Sequence, residues 1–286
     1  EASAEKARNI QPSADLFDLR RLQAETREAV SLMVKNSDLT IGGARDVRPA
    51  VDLANHGGVL APQDLLDIKY TLISARTLAR TFERMGTSFP NLAGIIAQLP
   101  PPLGIIDAIT RAISDRGDIL DSASAKLASI RHDLRISHDR LLTRMQRMVA
   151  DPKNAPYLQE ALITQRDGRY VLPLRAEFKG RIRSIVHDQS SSGATLFVEP
   201  LAVVELNNQY RELLLAERDE ERRILWELSQ QVAGNGFAIL HTVEVIAELD
   251  LALARGKYAE DLRASEPSLH AIDPKGTRHP GTIIRL

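Results

Sequence analysis

The chain has 286 residues, of which 43% are hydrophobic and 4% aromatic, with 37 basic and 38 acidic side chains and no cysteine. That length supports one large domain or two ordinary ones with a real core. The near-cancelling charge excludes a whole-chain field that would draw it to nucleic acid or membrane. The missing cysteines exclude disulfides, cysteine-ligated zinc and thiol nucleophiles, and suit a reducing, cytoplasmic setting.

Leucine, alanine, arginine, glutamate and isoleucine dominate, which is the composition of long helices, so a mainly α fold is expected. No window holds 18 consecutive apolar residues and the start lacks the order of a signal peptide, so no membrane partner is expected. The first 120 residues read as short helices between breakers. Amphipathic runs at 16–34 and 47–54 are separated by Gly42-Gly43 and followed by Gly57-Gly58. Pro62 then opens a helix with Asp64 in its first turn, and apolar residues continue at helical spacing to Gly86. The triple Pro100-Pro101-Pro102 separates a helix at 92–98 from another at 105–113.

Residues 118–151 contain neither glycine nor proline, which allows a helix of about 50 Å. Leu127, Leu134, Leu141 and Met148 recur every seven residues beside Ile130, Leu142 and Met145, a stripe suited to pairing with another helix. A second breaker-free run at 201–233 supplies the partner, expected antiparallel. Between them, 161–165 and 170–174 flank the hairpin signal Asp167-Gly168, and 182–186 with 195–199 form a second strand pair. A last helix is expected at 237–262. The ending Thr282-Ile283-Ile284-Arg285-Leu286 reads like a strand just beginning, as in a fragment.

Charge becomes local in the β region. Between residues 166 and 183, Arg166, Arg169, Arg175, Lys179, Arg181 and Arg183 face only Asp167 and Glu177, a net +4. This is a polyanion-binding pattern, and on composition alone a solvated strand face with scattered ion pairs fits as well. The segment from His187 to Thr195 gathers a histidine, an acid and hydroxyls, but neighbours on a strand point to opposite faces, so His187 and Asp188 diverge and no catalytic centre is expected. A turn with serine hydroxyls on backbone amides is the plainer reading, and a phosphate-binding nest the functional one. His132 and His138 lie on different helix faces, so no metal site is indicated. Gly256-Lys257 lacks the preceding glycine of a phosphate loop, so any ATP is held elsewhere. Phe197-Val198-Glu199 matches a mismatch-reading pattern too short to be specific and is assigned to a strand.

Arg169-Tyr170-Val171-Leu172-Pro173-Leu174, Gly180, Ile185 to Ser190, Ser192 to Pro200 and Val204 to Asn208 closely resemble the bacterial MutS type II family. The signature residues are Tyr170, Pro173, Gly180, His187, Asp188, Ser192, Gly193, Thr195, Glu199, Pro200, Asn207 and Asn208, in a structural role. Arg278-His279-Pro280 resembles the opening of the family's ATPase domain, although Gly281 departs from the apolar residue expected next. The resemblance implies a helical lever body with a projecting clamp arm of two long antiparallel helices carrying a small antiparallel β region. The lever would comprise 1–120 and 235–265, the clamp 121–234 with its β region at 160–199, and the start of a truncated ATPase domain 266–286. It also implies a non-catalytic segment of an ATPase and endonuclease that suppresses recombination and acts on collided ribosomes. The implied partners are branched or double-stranded DNA, ribosomal RNA and a second copy of the full-length protein; ATP and magnesium would sit in the missing ATPase domain, with no cofactor in this segment. The rival reading is a structural coiled-coil adaptor for protein contacts or dimerisation.

Overall fold

A computed structural model describes residues 2–35 and 41–269. The Arg278-His279-Pro280 segment and the expected terminal strand lie outside the described residues. The described chain is mainly helical, with one small antiparallel sheet, and falls into two compact units. Unit 1 gathers the chain up to Thr110 and from Leu228 onward, and unit 2 spans Arg111 to Glu227.

Unit 1 contains α1 (Ala2–Arg8), α2 (Leu16–Lys35), α3 (Arg48–Asn55), α4 (Pro62–Met85), α5 (Pro90–Ile96), most of α6 (Ile105–Ala112) and α9 (Gly236–Asp261). Its core joins Leu32 of α2, Leu78 and Phe82 of α4, Leu92 and Ile96 of α5, and Ile246 and Leu249 of α9. Pro62 and Pro90 each stand in the first turn of a helix, where a missing N–H costs nothing. The carboxylate of Glu28 accepts from the backbone amides of Asn91 and Leu92 at 2.9 Å, satisfying the exposed N-terminus of α5. Buried Glu25 accepts from Arg21 at 2.7 Å and Arg255 at 2.6 Å, tying α2 to α9. The helix α1 was not anticipated from periodicity; its Lys6 donates to the Glu244 carbonyl of α9 at 3.3 Å.

Unit 2 contains α7 (Ala125–Ala150), the strands β1 (Thr164–Arg166), β2 (Arg169–Arg175), β3 (Ser184–Gln189) and β4 (Thr195–Pro200), and α8 (Val204–Gly234) up to Glu227. The run 118–151 is not one helix. The Ser114 amide donates to the Asp118 carbonyl, Ile113 bridges to Ile119, and a 3-10 turn covers Asp121–Ala123. Helix α7 starts only where the Ser124 hydroxyl accepts from the Leu127 amide at 2.9 Å. Its 26 residues therefore span about 39 Å.

The polar contacts between α7 and α8 run in reverse order. Ser124 meets Glu220, Arg131 meets Glu217 and Glu221, and the rings of His138 and Tyr210 lie 5.3 Å apart, so the helices are antiparallel. The leucine stripe divides its work: Leu141 and Met145 are fully buried against Leu172, Leu174, Leu196 and Val198 of the sheet. The sheet order is β1-β2-β4-β3, antiparallel throughout. Asp167 and Gly168 both take positive φ (50° and 74°), the two-residue turn that matches strand twist. Residues 161–163 stay outside β1, and the chain ahead of it pairs instead at Leu158 with Leu174.

Candidate nucleic-acid interface

The six basic residues of 166–183 separate into two groups. The Arg166 guanidinium lies 3.9 Å from the Phe197 ring centre and its Nε donates to Asp188 at 3.1 Å. Arg169 turns inward: one terminal nitrogen donates to both Glu199 oxygens at 2.8 and 3.1 Å and the other to Asn208 Oδ1 at 2.7 Å. It is thus spent on an internal partner. Arg175, Lys179, Arg181 and Arg183 are exposed, and no ion pair neutralises them among the described residues. The 3-10 turn Ala176–Phe178 and Gly180, at φ 88°, lie in the β2–β3 connection that carries these residues; it leaves at Arg175, paired with Thr195 at one end of β4, and returns at Arg183, whose carbonyl accepts from the Leu201 amide at 2.9 Å beyond the other end. Tyr157 packs against Phe178 at 5.3 Å and its carbonyl accepts from the Arg175 amide at 2.9 Å, which fixes the start of that connection.

Glu199 is a hub of the β region. Fully buried, it accepts from Arg169, from His187 Nε2 at 2.6 Å and from Asn207 Nδ2 at 2.8 Å. Asn207 also accepts from the Tyr170 amide at 3.0 Å and donates to its carbonyl at 3.1 Å, so β2, β3, β4 and α8 meet in one network. A buried carboxylate is tolerable only with such partners. Burial raises the pKa of the Tyr170 hydroxyl, which lies 2.7 Å from His138 Nε2. His138 and Tyr210 complete the aromatic cluster and were not singled out by any sequence motif.

The remaining signature residues fall around this hub. Tyr170 and Pro173 lie in β2, His187 and Asp188 in β3, and Thr195, Glu199 and Pro200 in β4. His187 and Asp188 do diverge, one to Glu199 and the other to Arg166. Asn207 and Asn208 open α8, while Ser192 and Gly193 form the β3–β4 turn, where the Ser190 hydroxyl accepts from the Thr195 amide at 3.1 Å. Glu199 is enclosed and Phe197 lies under Arg166, so Phe197-Val198-Glu199 is strand packing. Gly256 likewise serves packing: a Cβ there would stand 2.8 Å from Ala29 Cβ. Among the described residues, no group of three or more histidine and carboxylate side chains is placed to hold a metal, and no helix is long and apolar enough to cross a membrane.

A second polar cluster fixes α7 on α8. Arg131 donates to Asp121, Glu217 and Glu221 at 2.7 Å each and to the Ile119 carbonyl at 2.8 Å. Burial opposes its charge, but these acceptors outweigh burial and hold its pKa above the ordinary value. Buried Glu220 accepts from Arg223 at 2.6 Å, Ser124 at 2.7 Å and Lys126 at 3.1 Å, and the Arg223 bond above all lowers its pKa to about 2.

Proteins named endonuclease MutS2 match nearly the whole chain. That of Thermomicrobium roseum is 43% identical over 291 residues, covering 99% of this chain and 36% of its own length. The Symbiobacterium thermophilum protein is 40% identical over 265 residues (93% and 33%), and that of a Geobacillus species 39% over 269 residues (93% and 34%). No family model matches the chain. The chain spans about a third of the length of the curated relatives it matches. With this identity along nearly all its residues, the chain belongs to the MutS2 family and corresponds to a segment of its members.

Proposed function

We propose that unit 1 is the lever body and unit 2 the clamp of a MutS2-type protein, and that unit 2 grips the phosphate backbone of nucleic acid without reading its sequence. One observation carries this reading: Arg175, Lys179, Arg181 and Arg183 stand exposed within nine residues, with no ion pair among the described residues, beside Arg166 and Arg169, which are satisfied internally. The proposed contact set narrows from six residues to those four. Phosphate contacts of this kind position a protein on a duplex and carry no base information. Branched DNA and ribosomal RNA are both proposed substrates, gripped by two copies. The ATP, magnesium and endonuclease chemistry would reside in the part of the protein that this segment does not span.

The test is titration of the chain with a four-way branched duplex and with ribosomal subunits across a range of salt. Neutralising the four residues to glutamine should flatten the salt slope for the DNA by about 3.6, at about 0.9 per phosphate contact. Failure to bind either ligand would favour a protein-binding coiled-coil adaptor.

A further inference from the structure

Arginines on the long helices of unit 2 are neutralised where they hold the fold. Arg131 has three carboxylate partners, and Arg223 is paired with Glu220 and Glu227. Arg135 of α7 and Arg211, Arg218 and Arg222 of α8 also lack an ion pair among the described residues, but the C-terminal half of α7 gathers three such arginines within eight residues. Arg140, Arg144 and Arg147 follow one another at spacings of four and three residues, which puts them in a single stripe. All three are exposed, and none has an ion-pair partner among the described residues. The positions three and four residues away from them hold Ile136, Ser137, Leu141, Thr143, Met148, Ala150 and Asp151, besides the arginines themselves. Asp151 is the only acid among these, and its carboxylate accepts from the Lys153 amide at 2.9 Å. Like charges at these spacings repel and weaken a helix, and no ion pair among the described residues offsets that repulsion.

The helix is also held in a fixed orientation. Leu141 and Met145, on another face of the same turns, are fully buried against the sheet, so the arginines cannot rotate into the core for partners. Residues 140 to 147 cover about 10 Å of helix axis, and one strand of a duplex offers a phosphate about every 3.4 Å. Three cations over that length match about three successive phosphates.

We infer that Arg140, Arg144 and Arg147 form a second phosphate-tracking site on unit 2, besides the Arg175–Arg183 segment, for the backbone of a double-helical polynucleotide. The inference rests on the nucleic-acid reading above and extends it to a helix face. DNA and RNA duplexes present the same phosphates, so the chemistry is shared between them.

The experiment measures binding of the chain to a plain DNA duplex and to a double-helical RNA as a function of salt, for three proteins: the unaltered chain, R140Q/R144Q/R147Q, and R175Q/K179Q/R181Q/R183Q. Glutamine keeps helix propensity. The helix variant should flatten the slope of log affinity against log salt by about 2.7 for DNA, and the duplex with the larger loss identifies the natural source. Its thermal midpoint should hold or rise, because repulsion is relieved; a structural role would lower it. An unchanged slope for both duplexes in the helix variant, with the slope flattened in the Arg175–Arg183 variant, overturns this site and leaves the nucleic-acid reading intact. No binding by the unaltered chain overturns both.

Discussion

Unit 1 gathers its helices around an apolar cluster, with Leu32, Leu78, Phe82, Leu92, Ile96, Ile246 and Leu249 in mutual contact. In unit 2 the apolar Leu141 and Met145 seat α7 on the sheet, while polar hubs join α7 to α8 and α8 to the sheet: Arg131 among three carboxylates, Glu220 among three donors, and Glu199 of β4 among Arg169, His187 and Asn207. Apolar burial is non-directional and indifferent to pH, whereas a buried hydrogen-bonded charge fixes one register and fails sharply when a partner is lost. The sheet of unit 2 has an apolar layer of its own, but the long helices extend past it. Polar pins of defined length let two helices keep register there.

The largest effect should come from breaking the deepest hub. Glu199→Ala leaves Arg169, His187 and Asn207 without their acceptor and should cost about 3–5 kcal/mol. Trp226 is the only tryptophan and sits in unit 2, so urea unfolding followed by its fluorescence isolates that unit. An unchanged midpoint would remove Glu199 as the organiser of the β region. The matching cut in unit 1 is Leu249→Ala, in a fully buried position, expected to cost about 3 kcal/mol. That loss should be the same in low and high salt, in contrast to unit 2.

Glu220 sharpens the contrast through pH. Its folded pKa of about 2 lies below the value of about 4.3 for an unfolded glutamate. The folded state therefore binds the proton more weakly. The stabilisation is complete above the unfolded value and is lost as pH falls from about 4.5 toward 2. With Arg223 half exposed, screening reduces the contribution to about 2 kcal/mol. Glu220→Gln should lose that amount at pH 7 and show a shallower acid limb in unit 2, while the unit 1 transition stays in place. An acid limb as steep as that of the unaltered chain would assign the sensitivity elsewhere.

Much of this architecture was legible in the sequence because it rests on local signals. Asp167-Gly168 specifies its turn by positive φ, Pro62 opens a helix, and the heptad leucines mark α7. The signals failed where a distant partner decides. Nothing near Arg169 shows that it bends inward, since Glu199 and Asn208 stand 30 and 39 residues away. The first turns expected of the long helix were lost to the Ser114–Asp118 turn and the Ser124 cap, a competition between local hydrogen bonds that the absence of glycine and proline cannot reveal. Stripe periodicity likewise identified a buried face on α7 without saying that its later half belongs to the sheet.

The smallest expected effect on stability separates charge that builds unit 2 from charge held ready for a ligand. Arg175, Lys179, Arg181 and Arg183 are exposed and have no ion-pair partner among the described residues, so each change to glutamine should shift stability by less than about 0.5 kcal/mol. Arg166, stacked on Phe197 and bonded to Asp188, gives the control: Arg166→Gln loses a stacking and a charged contact together and should cost about 1 kcal/mol. Differential scanning calorimetry of the five single variants ranks them directly. If any of the four exposed cations costs as much as Arg166, that residue is part of the scaffold, and the proposed nucleic-acid contact set must be redrawn without it.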